Sequence, residues 1–255
     1  MSGPETRRRR IVELVTDRNG ASVDEIVEEF DVSGSTIRRD LRELADRNLV
    51  ERTHGGAMPV TNARSERPFG QKVVEGRDRK RAIGRRAARE IQQGQVVFFD
   101  SGTTTLRIAR EVTKDGSFVS VTNSPLLAME LGKEDGIVKV TGGAFREESM
   151  GLVGPTAEAY VRSSNFDLAF LGTNGVSEDA FTAPVEDEAG LKRAVIANAV
   201  RPVVVADRTK FGERTFREFA SLADVDAVVT DGRLPGRFRD AFEAADTEWL
   251  KGDRA

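Results

Sequence analysis

Hydroxyl and guanidinium side chains cluster on one side of a predicted helix that begins after Ser33. Apolar residues recur in this segment at i, i+4 and i+7 and form one stripe, made of Ile37, Leu41 and Leu44. The opposite side and its flank carry Ser35, Arg38, Arg39 and Arg42. Arginine can donate two parallel hydrogen bonds to guanine, and a helix N-terminus attracts phosphate. The pattern predicts a helix that enters the major groove of DNA, although a solvated amphipathic helix would show the same spacing.

The segments around this helix predict a winged helix-turn-helix. Upstream, residues 23–30 carry apolar side chains at i, i+3, i+4 and i+7, and Asp31-Val32 joins the two helices, which is helix-turn-helix spacing. Downstream, residues 49–56 indicate a short hairpin, the wing. A first helix over residues 7–15, which opens with a block of four arginines, completes a domain predicted to span residues 1–58.

Small and hydroxylic residues form a second group, at the ends of predicted strands. Continuous apolar runs, expected of strands buried on both faces of a parallel sheet, occur at 96–99, 118–121, 137–140, 168–171, 203–206 and 227–229. Helical patterns separate most of the runs, at 106–112, 126–131, 156–162, 191–199 and 238–245. This alternation predicts an open, Rossmann-like α/β sheet.

The residues that follow five of these runs are of types that can bind an anion. They are Asp100-Ser-Gly-Thr-Thr-Thr105, Thr122-Asn-Ser124, Thr141-Gly-Gly143, Gly172-Thr-Asn-Gly175 and Asp207-Arg-Thr-Lys210. Ligands of open parallel sheets bind beyond the carboxyl ends of the strands. Glycine lets the backbone approach a ligand, while hydroxyls and helix N–H groups suit a phosphate. One such loop would be ordinary turn chemistry, but five at matching strand ends predict a ligand cleft.

These motifs resemble a known family along nearly the whole chain. Val32-Ser33-x-x-Thr36-Ile37-Arg38-Arg39-Asp40-Leu41, then Leu44 and Arg52-x-His54-Gly55-Gly56-Ala57, are similar to the N-terminal signature of DeoR-type regulators of sugar metabolism. The strand-end loops, with Ala189-x-x-Lys192-Arg193, resemble the landmarks of that family's C-terminal domain. The resemblance implies a winged helix-turn-helix repressor with a sensor domain similar in fold to sugar-phosphate isomerases.

The resemblance also implies roles for individual residues. The implied DNA-binding residues are Ser33, Ser35, Thr36, Arg38, Arg39, Arg42, Arg52 and His54, the last as a phosphate contact in the wing. The implied effector-binding residues are Asp100, Ser101, Gly102, Thr103, Thr104, Thr105, Thr122, Asn123, Ser124, Gly142, Gly143, Gly172, Gly175, Lys192, Asp207 and Lys210. Asp100 would hold sugar hydroxyls, residues 101–105 the phosphate, and Lys192 and Lys210 the anion or a neighbouring carboxylate. Ser124 stands where the family often has Asn, and residues 183–188 match only loosely.

Composition excludes several kinds of site. The chain has no Cys and one His, so a disulfide framework, a thiolate nucleophile and a His- or Cys-based metal site are not expected. No apolar run approaches the ~20 residues of a membrane span, and no signal peptide is evident. We expect a cytoplasmic protein without cofactor or metal. The net charge of −3 does not indicate DNA binding, but a basic face suffices for it.

We therefore expect three segments: a DNA-binding domain at 1–58, a linker at 59–76 in which Phe69 docks, and an α/β effector-binding domain at 77–255. The leading hypothesis is a repressor of sugar or polyol metabolism genes that binds operator DNA as a homodimer or homotetramer and responds to a phosphorylated sugar. The alternative is a phosphosugar isomerase with an added domain, whose base would be one of Asp100, Asp187, Glu188 and Asp207. A DNA-binding scaffold without a ligand fits the strand-end loops poorly.

Overall fold

The computed structural model describes residues 4–18, 20–30, 32–46, 49–53, 55–59, 67–113, 116–133 and 136–253. The chain divides into two compact units, Met1–Ser65 and Glu66–Ala255. None of the helices in the described ranges is long and apolar enough to cross a membrane.

The first unit contains three helices and a small antiparallel sheet. The helices are α1 (Pro4–Asp17), α2 (Val23–Phe30) and α3 (Gly34–Asp46). The strands are β1 (Ala21–Ser22), β2 (Val50–Arg52) and β3 (Gly56–Pro59), in the order β1-β3-β2. The predicted helices and wing are confirmed. The pairing of β1 with β3 is not predicted, because a strand of two residues has no periodicity to detect.

Two local features place α3. The backbone N–H of Thr36 donates to Ser33 Oγ over 3.3 Å, so Ser33 caps the helix as predicted. The predicted stripe of Ile37, Leu41 and Leu44 is almost completely buried against α1 and α2. Gly56 lets β3 approach β1 closely, since a Cβ there would lie 2.2 Å from the carbonyl oxygen of Ala21.

A buried carboxylate ties α3 to α1. Asp40 is fully buried and accepts hydrogen bonds from Arg7 Nε (2.7 Å) and Arg8 Nε (3.0 Å). Burial raises the pKa of Asp40, but the bonds from the two arginines outweigh it and the net pKa lies below its ordinary value. Part of the arginine block at the start of the chain therefore serves the fold of this unit. Of that block, Arg10 lies over the ring of Phe30, 5.2 Å from its centroid.

The second unit is built on a seven-stranded parallel sheet. Its strand order is β6 (Ile137–Val140), β5 (Val119–Thr122), β4 (Val96–Phe99), β9 (Phe166–Gly172), β12 (Ala199–Val205), β14 (Ala227–Thr230) and β15 (Glu248–Lys251). Smaller antiparallel pieces are the hairpin β7 (Ala144–Arg146) with β8 (Gly151–Val153), and a sheet of β10 (Gly175–Val176), β11 (Ala180–Ala183) and β13 (Arg217–Ser221). The six predicted strands all lie in the large sheet.

Helices cover both faces of this sheet. They are α4 (Phe69–Val74), α5 (Arg77–Ala88), α6 (Thr103–Glu111), α7 (Pro125–Leu131), α8 (Pro155–Arg162), α9 (Glu186–Ala197) and α10 (Gly236–Ala244). Strand β4 shows the two apolar layers, since Phe98 packs into one and Val97 and Phe99 into the other. Helix α4 lies within the range predicted as linker, where Phe69 is buried against the layer that includes Phe99. A pattern of six residues is too short to predict that helix.

The order in which the chain adds strands to the sheet reverses once. From β4 the chain first adds β5 and β6 on one side, and then returns to place β9 on the other side of β4. Open sheets bind ligands at such a switch point, beyond the carboxyl ends of the two strands. Asp100 directly follows β4, and Gly172 ends β9, so two of the predicted effector-binding residues lie at this position.

Asp40→Asn tests the buried tie between α1 and α3. Because it removes the negative charge that Arg7 and Arg8 share, it should lower the free energy of unfolding of α3 by about 1–3 kcal/mol. Since the folded-state pKa of Asp40 is lowered, this stabilisation is present above its ordinary pKa of 3.8 and is lost as the pH falls through the folded-state value. Native-state hydrogen exchange of the α3 amides measures the effect. Asp46→Asn, at the exposed end of the same helix, is the control; equal exchange in both variants would contradict the prediction.

Candidate functional site

The exposed face of α3 carries the predicted cations. Arg38, Arg39 and Arg42 are exposed, and within the described residues none of the three forms an ion pair. Ser33 Oγ lies 2.9 Å from the hydroxyls of both Ser35 and Thr36, so the three hydroxyls form one cluster at the start of the helix. The structure thus brings together six of the eight predicted DNA-binding residues on one element and its cap.

The wing holds the other two. Arg52 is exposed on β2, where it pairs in register with Ala57 of β3. His54 lies outside the described residues, so its predicted phosphate contact stays a prediction.

A buried ion pair occupies the switch point of the large sheet. Lys192 Nζ of α9 donates to Asp100 Oδ2 and, over 3.0 Å, to the carbonyl oxygen of Gly172. The same Asp100 oxygen accepts from the backbone N–H of Gly172 over 3.0 Å. Asp100 and Lys192 are only 2% and 4% exposed. Three predicted residues from β4, β9 and α9 therefore form one polar centre, in which Asp100 Oδ1 accepts no hydrogen bond from the described residues.

The N-terminus of α6 opens beside this centre. Its cap residue Gly102 has φ of 142°, a backbone conformation that favours glycine, and gives no side-chain hydrogen bond to the helix. Thr103 and Thr104 in the first turn are half-buried. The hydroxyl of Thr105 instead donates to the carbonyl oxygen of Gly102 over 3.0 Å and is fully buried. The first N–H groups of a helix lack intrahelical partners, so this turn can receive an anion.

The residues after β5 connect the strand-end loops to one another. Asn123 Oδ1 accepts from the backbone N–H of Ser101 over 2.7 Å. Ser124 Oγ donates to the carbonyl oxygen of Met150 over 2.8 Å, and the hydroxyl of Thr122 accepts from the N–H of Ser124 over 3.0 Å. These predicted effector-binding side chains thus already have partners within the protein, and they hold the loops in position.

The predicted glycines differ in what surrounds them. Gly142 and Gly143 both have positive φ, and a Cβ on Gly143 would lie 2.7 Å from the carbonyl oxygen of Val153 in the hairpin. A Cβ on Gly175 would lie 2.5 Å from the carbonyl oxygen of Glu213. Gly143 and Gly175 therefore permit close approach of two backbone segments, whereas a Cβ on Gly172 would lie 3.5 Å from Asp100 Oδ2.

Asp207 and Lys210 belong to a second charged group. Its third member, Lys80, is not among the predicted residues. Burial lowers the pKa of Lys80 to about 8, and its Nζ donates over 2.8 Å to the carbonyl oxygen of Glu75 after α4. Burial also lowers the pKa of Lys210. Burial raises the pKa of Asp207, but hydrogen bonds from Thr209 outweigh it and the net pKa is lowered. The helical spacing could have predicted the burial of Lys80, because it lies on the same stripe of α5 as the buried residues 83, 84 and 87.

The hairpin adds a residue that sequence reasoning does not find. Ser149 is buried, and its hydroxyl has no hydrogen-bond partner within the described residues. A Cβ on Gly151 would lie 2.5 Å from Ser101 Oγ and 3.2 Å from Ser149 Oγ, so the two hydroxyls flank Gly151. Arg146 of the hairpin also donates to Glu188 of α9 over 2.8 Å. These contacts join residues distant in sequence, and no local pattern signals them.

Comparisons with known proteins agree with both units. A DeoR-like helix-turn-helix domain matches residues 7–63, and a DeoR C-terminal sensor domain matches residues 75–232. The chain is 51% identical to the HTH-type transcriptional regulator GlpR of Haloferax volcanii, over 98% of each chain. It is 34% identical to the glycerol-3-phosphate regulon repressor of Escherichia coli, over 90% of this chain and 91% of that one.

The solved structures are more distant. The full-length sorbitol operon regulator SorC of Klebsiella pneumoniae is 11% identical and has a TM-score of 0.41, over 96% of this chain and 100% of that one. At that level of likeness the solved structure bears on neither the site nor the function. The two domain matches and the identity to curated regulators are decisive. The chain belongs to the DeoR family of DNA-binding transcriptional regulators.

Proposed function

We propose that this chain is a repressor of sugar or polyol metabolism genes whose operator affinity changes when a phosphorylated C3 to C6 sugar or polyol binds at the switch point of the large sheet. The observation that carries the proposal is the buried Lys192–Asp100 pair beside the uncapped N-terminus of α6. The names of the relatives support the same class of ligand, since one is a glycerol-3-phosphate regulon repressor.

The site offers separate groups for the two ends of such a ligand. The N–H groups and hydroxyls of Thr103 and Thr104 suit the phosphate. Lys192 has three N–H donors, and two of them bond to Asp100 and Gly172. The third donor and the free Oδ1 of Asp100 can pair with a hydroxyl of the sugar. One ligand bound in this way would contact β4, α6 and α9 together.

The surroundings of the carboxylates favour binding of a ligand without turnover over catalysis. Proton transfer between carbons needs a base that is free to accept a proton. Glu188 pairs with Arg146, Asp100 pairs with Lys192, and Asp207 has a lowered pKa. Asp187 is exposed in the first turn of α9. We therefore favour a regulator over the isomerase alternative.

Operator recognition rests on α3. Its exposed guanidiniums suit guanine or phosphate, and Arg52 in the wing suits the DNA backbone. We propose that Arg39, on the side opposite Ile37 and Leu41, contacts a base.

Arg39→Ala tests this assignment. Loss of a bidentate contact to a base should weaken operator binding by about 1–3 kcal/mol and relax the preference at one position. Fluorescence anisotropy with the operator and with single-base variants, over a range of salt concentrations, measures both effects. Arg18→Ala is the control, because Arg18 is exposed in the same unit and bonds to Glu29. A loss that is equal for every sequence would assign Arg39 to phosphate, and unchanged binding would remove α3 from the interface.

A second test concerns assembly. A single small winged helix buries little surface on DNA, so we propose a homodimer or homotetramer on paired half-sites, associated through the α/β unit. Analytical ultracentrifugation of the full chain, free and bound to operator, should show a dimer or a multiple of it. A protein that stays monomeric at micromolar concentration on DNA would contradict the proposal.

Thr104→Val tests the effector site. The change keeps the shape of the side chain but removes one phosphate donor, so it should abolish the response of operator binding to a sugar phosphate and leave binding without effector intact. The coupling in the wild type should be about 1–3 kcal/mol, or roughly 5- to 150-fold in operator affinity. Binding is measured with and without each member of a panel of C3 to C6 sugar and polyol phosphates. Thr113→Val, at an exposed position just after α6, is the control.

Three outcomes would count against this reading. An unaltered response in Thr104→Val would place the phosphate elsewhere. Binding of a sugar phosphate without any change in operator affinity would leave a pocket but remove its regulatory role. Conversion of the bound compound, followed by NMR, would favour the isomerase alternative.

A further inference from the structure

Five arginines line a groove on the outer side of α5 and α6. Its volume is about 790 Å³, and it is lined by Val74, Gly76, Arg77, Asp78, Arg79, Arg81, Arg107, Arg110 and Glu111. None of these residues belongs to the Lys192–Asp100 centre. The charged lining consists of five cations and two carboxylates, in a chain that carries more acids than bases overall.

The carboxylates near the groove leave three of the arginines unpaired. Glu111 is shared between Arg81 and Arg85, each at 3.4 Å, and Arg110 reaches Glu130 at 3.6 Å. Arg77, Arg79 and Arg107 form no ion pair with any described residue. A solvated helix face would spread its charges and pair them with acids, whereas these three lie around one concavity.

The guanidinium of Arg79 lies beside the start of α5. Its guanidinium lies over Gly76, the left-handed residue at the start of α5, so that a Cβ there would lie 2.6 Å from Arg79 Nη2. Arg79 Nε is buried and has no hydrogen-bond partner among the described residues. Because this N–H is buried, the remaining N–H groups of the guanidinium are the donors that Arg79 can offer to a ligand in the groove.

Arg107 is surrounded by other cations of the groove. Burial lowers its pKa, and the neighbouring Arg110, Arg77 and Arg81 lower it further. Its main chain packs against α5 at Gly84, where a Cβ would lie 2.9 Å from the carbonyl carbon of Arg107. Packing of the two helices therefore fixes the backbone from which this cation projects. A bound anion would relieve the repulsion among these cations.

We propose that this groove is an anion-binding site for a small ligand with two or more phosphate groups, separate from the site at Asp100. Guanidinium groups pair with phosphate through two parallel hydrogen bonds, and three unpaired guanidiniums can hold more than one phosphate. The volume lies within the range of small-molecule sites, which is roughly 300–1,000 Å³. The guanidinium of Arg79 would supply one contact, and Arg77 and Arg107 the flanking charge.

Calorimetric titration of the full chain with sodium pyrophosphate, at one fixed ionic strength, tests the proposal. The double variant Arg77→Ala with Arg107→Ala should bind pyrophosphate at least tenfold more weakly than wild type. The matched control is Arg162→Ala with Arg233→Ala, which removes the same charge at exposed positions outside the groove and should stay within twofold of wild type. Circular dichroism checks the fold of each variant, and Arg77→Ala alone, at an exposed position, should show part of the loss without touching helix packing.

The remaining outcomes would overturn the proposal. Equal weakening in the two double variants would mean a general effect of charge, and absence of pyrophosphate binding in wild type would mean no site. If the groove variant instead loses operator affinity and salt dependence while wild type binds no pyrophosphate, the groove contacts DNA. The response of operator binding to sugar phosphates should be unchanged in the groove variant, and loss of that response together with pyrophosphate binding would refute two independent sites.

Discussion

The contact between Lys192 and Asp100 is the interaction on which the sensor unit is organised. Two opposite charges that are almost completely buried persist only when they are paired and hydrogen-bonded, and here the backbone of Gly172 supplies both a donor and an acceptor. The pair joins β4, β9 and α9 at the place where the strand order reverses. Removing either partner would leave an uncompensated buried charge at the carboxyl ends of β4 and β9. The same constraint gives the candidate site its chemistry, because Asp100 Oδ1 accepts no hydrogen bond from the described residues while Oδ2 holds Lys192 and Gly172.

Periodicity predicted most of the fold. The buried stripe of α3 and the cap at Ser33 follow from local spacing, and so do the apolar runs of the large sheet, since strands buried on both faces need continuous apolar residues. Spacing could not reveal elements whose stability comes from distant contacts. The two-residue strand β1 depends on β3, and the six-residue helix α4 depends on the burial of Phe69. Strand β15 completes the sheet only through its pairing with β14.

The residue types at the strand ends were more predictable than their individual contacts. The loops after β4, β5 and β9 do meet at one end of the sheet, because carboxyl ends of parallel strands share an edge. Yet Thr105 and Ser124, which look like ligand donors in sequence, bond to the protein. Conversely, Lys80 lies on a helix but is buried beside Asp207, and the hydroxyl of Ser149 in the hairpin has no hydrogen-bond partner among the described residues. A sequence motif specifies which groups are present, whereas the hydrogen-bond partners are decided by side chains far away in the chain.

Helix α3 has inward positions that hold the fold of the unit and outward positions that are free to vary. Asp40 faces α1 and is satisfied by two arginines, while its neighbour Arg39 faces outward with no partner among the described residues. A substitution at an outward position leaves the core of the unit untouched, whereas one at Asp40 removes the buried carboxylate that Arg7 and Arg8 share. Under the proposal that α3 enters the major groove, exchanging Ser35, Arg38, Arg39 and Arg42 for the residues of another regulator would replace the groove-facing surface and leave Asp40 and the buried stripe in place.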